Sequence, residues 1–318
     1  MSQRFRTVRP ALAAAAATAA LTLTLAACGS GTSTHTAGHG GMPSSSAPGH
    51  GMASMPGMGS PSASASADGM ASMPGMGTAS AGDGLAAARG DYRMASTDSG
   101  LPAGKATAYR FTIMGEGGKP VTDFAVDQTK RMHFYAVRSD LTGFQHLHPT
   151  MAGNGTWTAP LAALQPGTWR LYASFTPGSG SGKGQDFVLS RTVKVSGMDM
   201  ASPLPAASGT TTVDGYTVTV QGDPMAGMAH QLTATVSKDG KPVTDLQPYL
   251  DTYAHLTAFH QGDLAFAHLH PETEVKGDHG GPTLTFHAQF ARSGNWRLFL
   301  QFQTGGTLHT AALTLRVG

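Results

Sequence analysis

Beyond residue 84, β-branched and aromatic residues recur at every second position between breaks of Gly, Pro and Asp, and this period of two predicts short antiparallel strands. In the first half of that region the pattern marks strands over 109–113, 132–138, 144–148, 155–161, 169–175 and 187–195. The second half repeats it over 216–220, 232–236, 252–260, 264–270, 284–290, 296–302 and 307–317. Six or seven short strands per half predict an all-β chain of two tandem immunoglobulin-like β-sandwich domains. Trp169 and Trp296, at matched places in a Gly-x-Trp-Arg-Leu strand, are expected in the two cores.

The halves are copies. Gly118-Lys119-Pro120-Val121-Thr122-Asp123 returns 122 residues later as Gly240-Lys241-Pro242-Val243-Thr244-Asp245, and the 133–149 stretch returns without a gap as 255–271. The three histidines of the first copy, His133, His146 and His148, align with His255, His268 and His270 of the second. Imidazoles at matched positions point to a shared job, most simply a metal ion.

Strand parity turns this into geometry. A hairpin over 252–270 with a turn at Gly262-Asp263 places His255 across from His270, whereas a turn centred on Gly262 alone throws His255 to the opposite face. The first register puts His255, His268 and His270 on one side and Leu256, Ala258, Ala267 and Leu269 on the other, a sensible core face. Opposed side chains sit about 5 Å apart at Cβ, so three imidazoles can converge on one ion. Neutral imidazole suits copper, zinc and nickel. His260, Asp278, His279, His287 and His309 surround the second copy and have no counterparts in the first, so the second is expected to bind the more tightly. Taken singly, His230, His260, His287 and His309 are read as structural or solvent-facing, and a lone His-x-His is a weak metal signal.

The amino terminus adds a location. Arg4, Arg6 and Arg9 precede an apolar run over 11–25 and then Leu25-Ala26-Ala27-Cys28, which resembles a bacterial lipobox and implies a signal over 1–27 with Cys28 as the lipidated first residue of the mature chain. The expected setting is extracytoplasmic, on a membrane through the lipid. Cys28 is the only cysteine, so neither a disulfide nor a blue-copper centre is available. Taking the three signal arginines off the net charge of +2 leaves −1, with no basic stripe for nucleic acid.

Residues 28–84 are Gly, Ser, Ala, Pro, Met and His with almost no charge, a composition that predicts a disordered tether. Met52, Met55 and Met58 recur as Met70, Met73 and Met76 in an identical nine-residue phrase. Thioether sulfur prefers Cu(I), and a pliable chain with Met every third residue can wrap three sulfurs around one ion. The competing reading is a low-complexity linker where Met carries no role, or a loose hydrophobic contact surface, against which methionine is unusual in a polar tether exposed to oxidation. Met225, Met228 and His230 form a weaker third group. The domains are expected over 85–197 and 210–318, joined by 198–209.

At the Gly-Lys-Pro-Val opening, the run Asp140-Leu141-Thr142-Gly143-Phe144-Gln145-His146-Leu147-His148-Pro149 and the Gly-x-Trp-Arg-Leu strand, the chain resembles the YtkA-like, FixH-like group of secreted immunoglobulin-like domains found near heavy-metal systems. The resemblance implies the sandwich fold and an extracytoplasmic setting. The expected function is non-enzymatic: a lipid-anchored protein that sequesters copper, with zinc possible, or hands it to a copper transporter or other envelope protein. Two other classes compete. One is a metal-free interaction module of two sandwiches on a stalk, and the other a copper redox enzyme of superoxide-dismutase type, disfavoured because nothing resembles the rest of that site.

Overall fold

A computed structural model describes residues 81–318; Cys28 and all six methionines of the repeated tether phrase lie outside the described residues. The first domain is a sandwich of two five-stranded sheets. One runs, in spatial order, through Ala88–Arg89, Tyr92–Ala95, Thr107–Met114, Thr156–Leu161 and Thr150–Met151. Its partner sheet orders Gly100–Leu101, Phe187–Val195, Gly167–Phe175, His133–Arg138 and Gln145–Leu147. In the second domain the strands form a continuous folded sheet: Thr210–Val213, Tyr216–Gln221, Ala229–Lys238, Thr283–Gln289, Phe266–Pro271, Ala254–His260, Gly294–Thr304 and Thr307–Val317, with Lys241–Pro242 beside Ala229–Lys238. Every strand expected from the alternation is present. Those the pattern did not mark, such as Tyr92–Ala95 and Gly100–Leu101, are short and lie toward sheet edges, where too few residues alternate to register a period.

Each copy builds its own core on the predicted parity. Phe134, Ala136, Trp169 and Leu171 lie in one; Leu256, Ala258, Trp296 and Leu298 lie in the other. Both tryptophans are at most 1% exposed. Each donates its indole N–H to the carbonyl four residues earlier, Trp169 to Gln165 at 2.8 Å and Trp296 to Arg292 at 3.0 Å.

A third apolar cluster joins the copies. Tyr135, Val137 and Tyr172 of the first domain pack with Phe259, Phe266 and Phe299 of the second. Phe144 stacks on Phe299 with ring centroids 4.2 Å apart and planes 9° apart, and the Tyr172 hydroxyl donates to the Leu264 carbonyl at 2.5 Å. His133–Arg138 is consequently buried on both faces, as is Ala254–His260 except at its last residue. The sequence carries the mark of this, since His-Phe-Tyr-Ala-Val-Arg is far more apolar than a strand with one wet face.

Residues 81–84, which composition assigns to the tether, dock at the same joint. Ala81 accepts from Val188 N–H and Asp83 from Phe266 N–H, one in each domain. Gly84 has φ +65°, and a Cβ there would sit 3.0 Å from Phe266, Tyr172 and Val188. The linker is tied down as well: Asp199 and the Met200 carbonyl both take hydrogen bonds from the buried Arg138 guanidinium, which also holds Asp140 at 2.8 Å.

Candidate metal centre

The two hairpins carry the histidines on their joint-facing sides. In the second, Leu256 pairs with Leu269 and Phe259 with Phe266, a register that sets His255 against His270 as the alternation requires. The tip differs in detail. His260 N–H bonds to the Ala265 carbonyl, so the loop is 261–264 rather than two residues, centred at the expected point. In the first hairpin Phe134 pairs with Leu147 and Tyr135 with His146, which brings His133 against His148. Parity then places His146 beside them.

These three rings are already close. Ring centroids lie 5.3 Å apart for His133 and His146, 5.1 Å for His133 and His148, and 4.8 Å for His146 and His148. One donor nitrogen from each falls within 4.8 Å of the others. Metal–nitrogen bonds of about 2.0–2.1 Å at tetrahedral angles would place ring centroids about 5 Å apart and nitrogens about 3.3 Å apart. The rings are spaced for an ion, and modest side-chain movement closes the nitrogens onto it.

The hydrogen bonds fix which nitrogens are free. His133 Nε2 lies 3.1 Å from the Asp127 carbonyl oxygen, which can only accept, so this nitrogen carries the proton. Gln301, reaching over from the second domain, gives its amide N–H to Thr310 Oγ1 and turns its oxygen to His146 Nδ1 at 2.8 Å, so His146 Nδ1 also donates. The other two nitrogens, His133 Nδ1 and His146 Nε2, face each other at 3.1 Å. In neutral rings both hold lone pairs. Two lone pairs aimed at one point in a buried site call for a cation between them, and carbonyl or carboxamide partners on the far nitrogens are the usual support for metal-bound histidines. His148 Nε2 is buried with no hydrogen-bond partner, a third donor on offer.

The rings are held neutral. Burial lowers the pKa of His133, and burial followed by the positive charge that His133 and His148 would carry holds His146 well below the ordinary range. Burial, then charge on His133, brings His148 to about 3. A shared proton is thus a poor substitute for a metal at neutral pH. Tyr135 stacks on His146 at 4.4 Å and fixes its plane.

The second copy, expected to be the tighter site, is arranged differently. Among the described residues the compact triad is the first copy's, and His255, His268 and His270 do not form a matching group. His268 and His270 lie 4.8 Å apart, but His255, 2% exposed, leans toward the first domain, with its ring 6.2 Å from His133 and 5.8 Å from His146. The extra histidines that favoured the second copy are engaged elsewhere. His260 holds Asp263 at 2.7 Å and the Ser293 carbonyl; His309 holds Asp214 at 2.8 Å and Thr304 Oγ1; His230 accepts from Met225 N–H at 3.0 Å. His287 pairs with His270 across adjacent strands, while His279 lies in the exposed loop. Met225 and Met228 are about half exposed. Sequence reasoning missed Gln301 because its role is made across the joint, and nothing in a sheet-strand glutamine announces that.

The fold and this site define an all-β protein of two β-sandwich domains with a histidine cluster beside their joint. The chain belongs to the family described as Domain of unknown function (DUF8832), whose model matches it twice, over 86–195 and 211–318, as the tandem repeat requires. This family, rather than the YtkA-like, FixH-like group, is the one the matching model names. No curated protein matches the chain. Solved structures with a partial likeness include Yersinia pseudotuberculosis InvD, at 15% identity and TM-score 0.22 over 72% of this chain and 58% of that one. Salmonella alpha-2-macroglobulin reacted with methylamine follows at 13% and 0.24 over 72% and 15%, and the N-terminal Ig1-2 module of Drosophila Receptor Protein Tyrosine Phosphatase DLAR at 9% and 0.20 over 72% and 100%. The chain therefore spans little more than half of the first and a small part of the second. Scores this low carry no argument about function.

Proposed function

We propose that the protein is a metal-binding protein of the cell envelope that sequesters or passes on copper, with His133, His146 and His148 as the resident site. The observation that carries this reading is the pair of tautomer-fixed nitrogens facing each other at 3.1 Å beside the unpartnered His148 Nε2. An all-nitrogen site suits Cu(II) or zinc, and the methionines at 52, 55, 58, 70, 73 and 76 suit Cu(I), so copper is the ion that both halves of the chain can hold. Cys28 as lipid anchor would keep the protein on the outer side of a membrane, where a transporter or another envelope protein could exchange the ion. Binding and release need no reaction, and no catalytic group is assigned.

The test is a competition titration of the full-length protein with Cu(I), Cu(II) and Zn(II) against chelators of known affinity. His146→Ala/His148→Ala is expected to weaken Cu(II) or Zn(II) binding at least a hundredfold, and deletion of 51–77 to reduce only the Cu(I) stoichiometry. Affinity of micromolar or weaker, unchanged by either alteration, overturns the reading.

A further inference from the structure

We propose that His255 of the second domain is the fourth ligand of the ion held by His133, His146 and His148, so that metal binding staples the two sandwiches together. The inference rests on the metal reading above and adds a ligand and a consequence. His255 Nε2 is a buried donor or acceptor with no hydrogen-bond partner, in a residue 2% exposed. A buried polar atom left unpaired is costly, and such atoms in native structures ask for a partner. Two rings of the triad lie within reach. The His255 ring is 6.2 Å from His133 and 5.8 Å from His146, roughly 1 Å beyond the spacing of about 5 Å that two imidazoles adopt on one tetrahedral ion.

Its orientation is prepared in the manner of a ligand. The His255 ring lies against the 249–250 turn, where the backbone at Tyr249 and Leu250 raises its pKa against the effect of burial and the Tyr249 ring meets it edge-on at 5.7 Å. His133 is held at the matching place, with its Nε2 bonded to the carbonyl of Asp127, which is Tyr249's counterpart at the 122-residue offset. Both first histidines thus lie against the same turn of their own domain, and His133 turns its other nitrogen to His146. The second domain already supports the site through the Gln301 bond to His146. Gln301 is also the residue paired with His255 on the neighbouring strand, so one cross-strand pair of the second domain would supply both a ligand and the brace of another. His268 and His270 lie outside this set with ring centroids 4.8 Å apart, and His268 Nε2 is likewise buried without a hydrogen-bond partner.

The experiment is X-ray absorption on the full-length protein loaded with one equivalent of Zn(II), which counts imidazole ligands without any substitution. Four are expected, falling to three in His255→Ala and staying at four in His270→Ala, with about a ten- to hundredfold weaker affinity in His255→Ala alone. Limited proteolysis of the 198–209 linker should be slowed by zinc in the unsubstituted protein and in His270→Ala, and unaffected by it in His255→Ala. Three imidazoles in the unsubstituted protein, or a His255→Ala variant that binds with unchanged affinity and ligand number, overturns the staple while leaving the triad intact. Failure of the unsubstituted protein to bind zinc or copper removes the underlying reading instead.

Discussion

His148 and His255 show what burial does to a single imidazole here. Burial, with the charge of His133, brings the first to about 3 and the second to about 4, against 6.5 in an unfolded chain. Above pH 6.5 the rings are neutral in both states and their stability contribution is complete. As the pH falls below 6.5 the unfolded chain takes up protons that the folded one refuses, so stability drops through the window from about 6.5 to about 3. The chelator-treated protein is therefore expected to melt at progressively lower temperature between pH 7 and pH 4, and His148→Gln to flatten that slope; calorimetry across the range checks both. A melting temperature independent of pH over this window would contradict the burial of these rings.

At the scale of the element, the run from Asp140 to Pro149 was legible as a motif but not as a mechanism. Asp140 accepts from the Thr142 N–H and hydroxyl, at 3.1 and 2.6 Å, to form the turn that returns the chain, and Gly143 passes beneath the Trp169 ring. Gly143 has φ +68°, and a Cβ there would overlap the Trp169 indole. Gly143→Ala is expected to cost about 2–3 kcal/mol through overpacking and backbone strain, read as a lowered denaturation midpoint. It should also loosen metal binding, because the same turn sets the strand that carries His146 and His148. The hairpin registers themselves were readable, since a slip of one residue would expose Leu256 and Leu269 and bury their polar neighbours.

For the whole molecule the joint between the copies is the feature that matters most. Phe299 is 5% exposed and stacks on Phe144 across it, so Phe299→Ala removes apolar contact from both domains at once. A loss of about 3 kcal/mol is expected, with faster proteolysis of the linker than in the unsubstituted protein. A bound ion should offset part of this loss, because a ligand that binds only the folded joint stabilises it by mass action. Thermal melts of Phe299→Ala with and without zinc give the measure. Equal melting of the variant and the parent would mean that the joint contributes little.

The sequence by itself determined the repeat, the all-β class, the strand parity and the identity of the six matched histidines, because alternation and register are local properties of the chain. It could not decide which histidines meet. Counting neighbours along the chain favoured the second copy, yet His260 and His309 are each committed to partners of their own. Only the tertiary structure sets Gln301 on His146 and leans His255 toward the first domain, since both follow from packing two apolar faces together across more than a hundred residues of chain. Those faces are written in the apolar character of 133–138 and 254–260, but what each would meet was settled by the fit of one domain against the other.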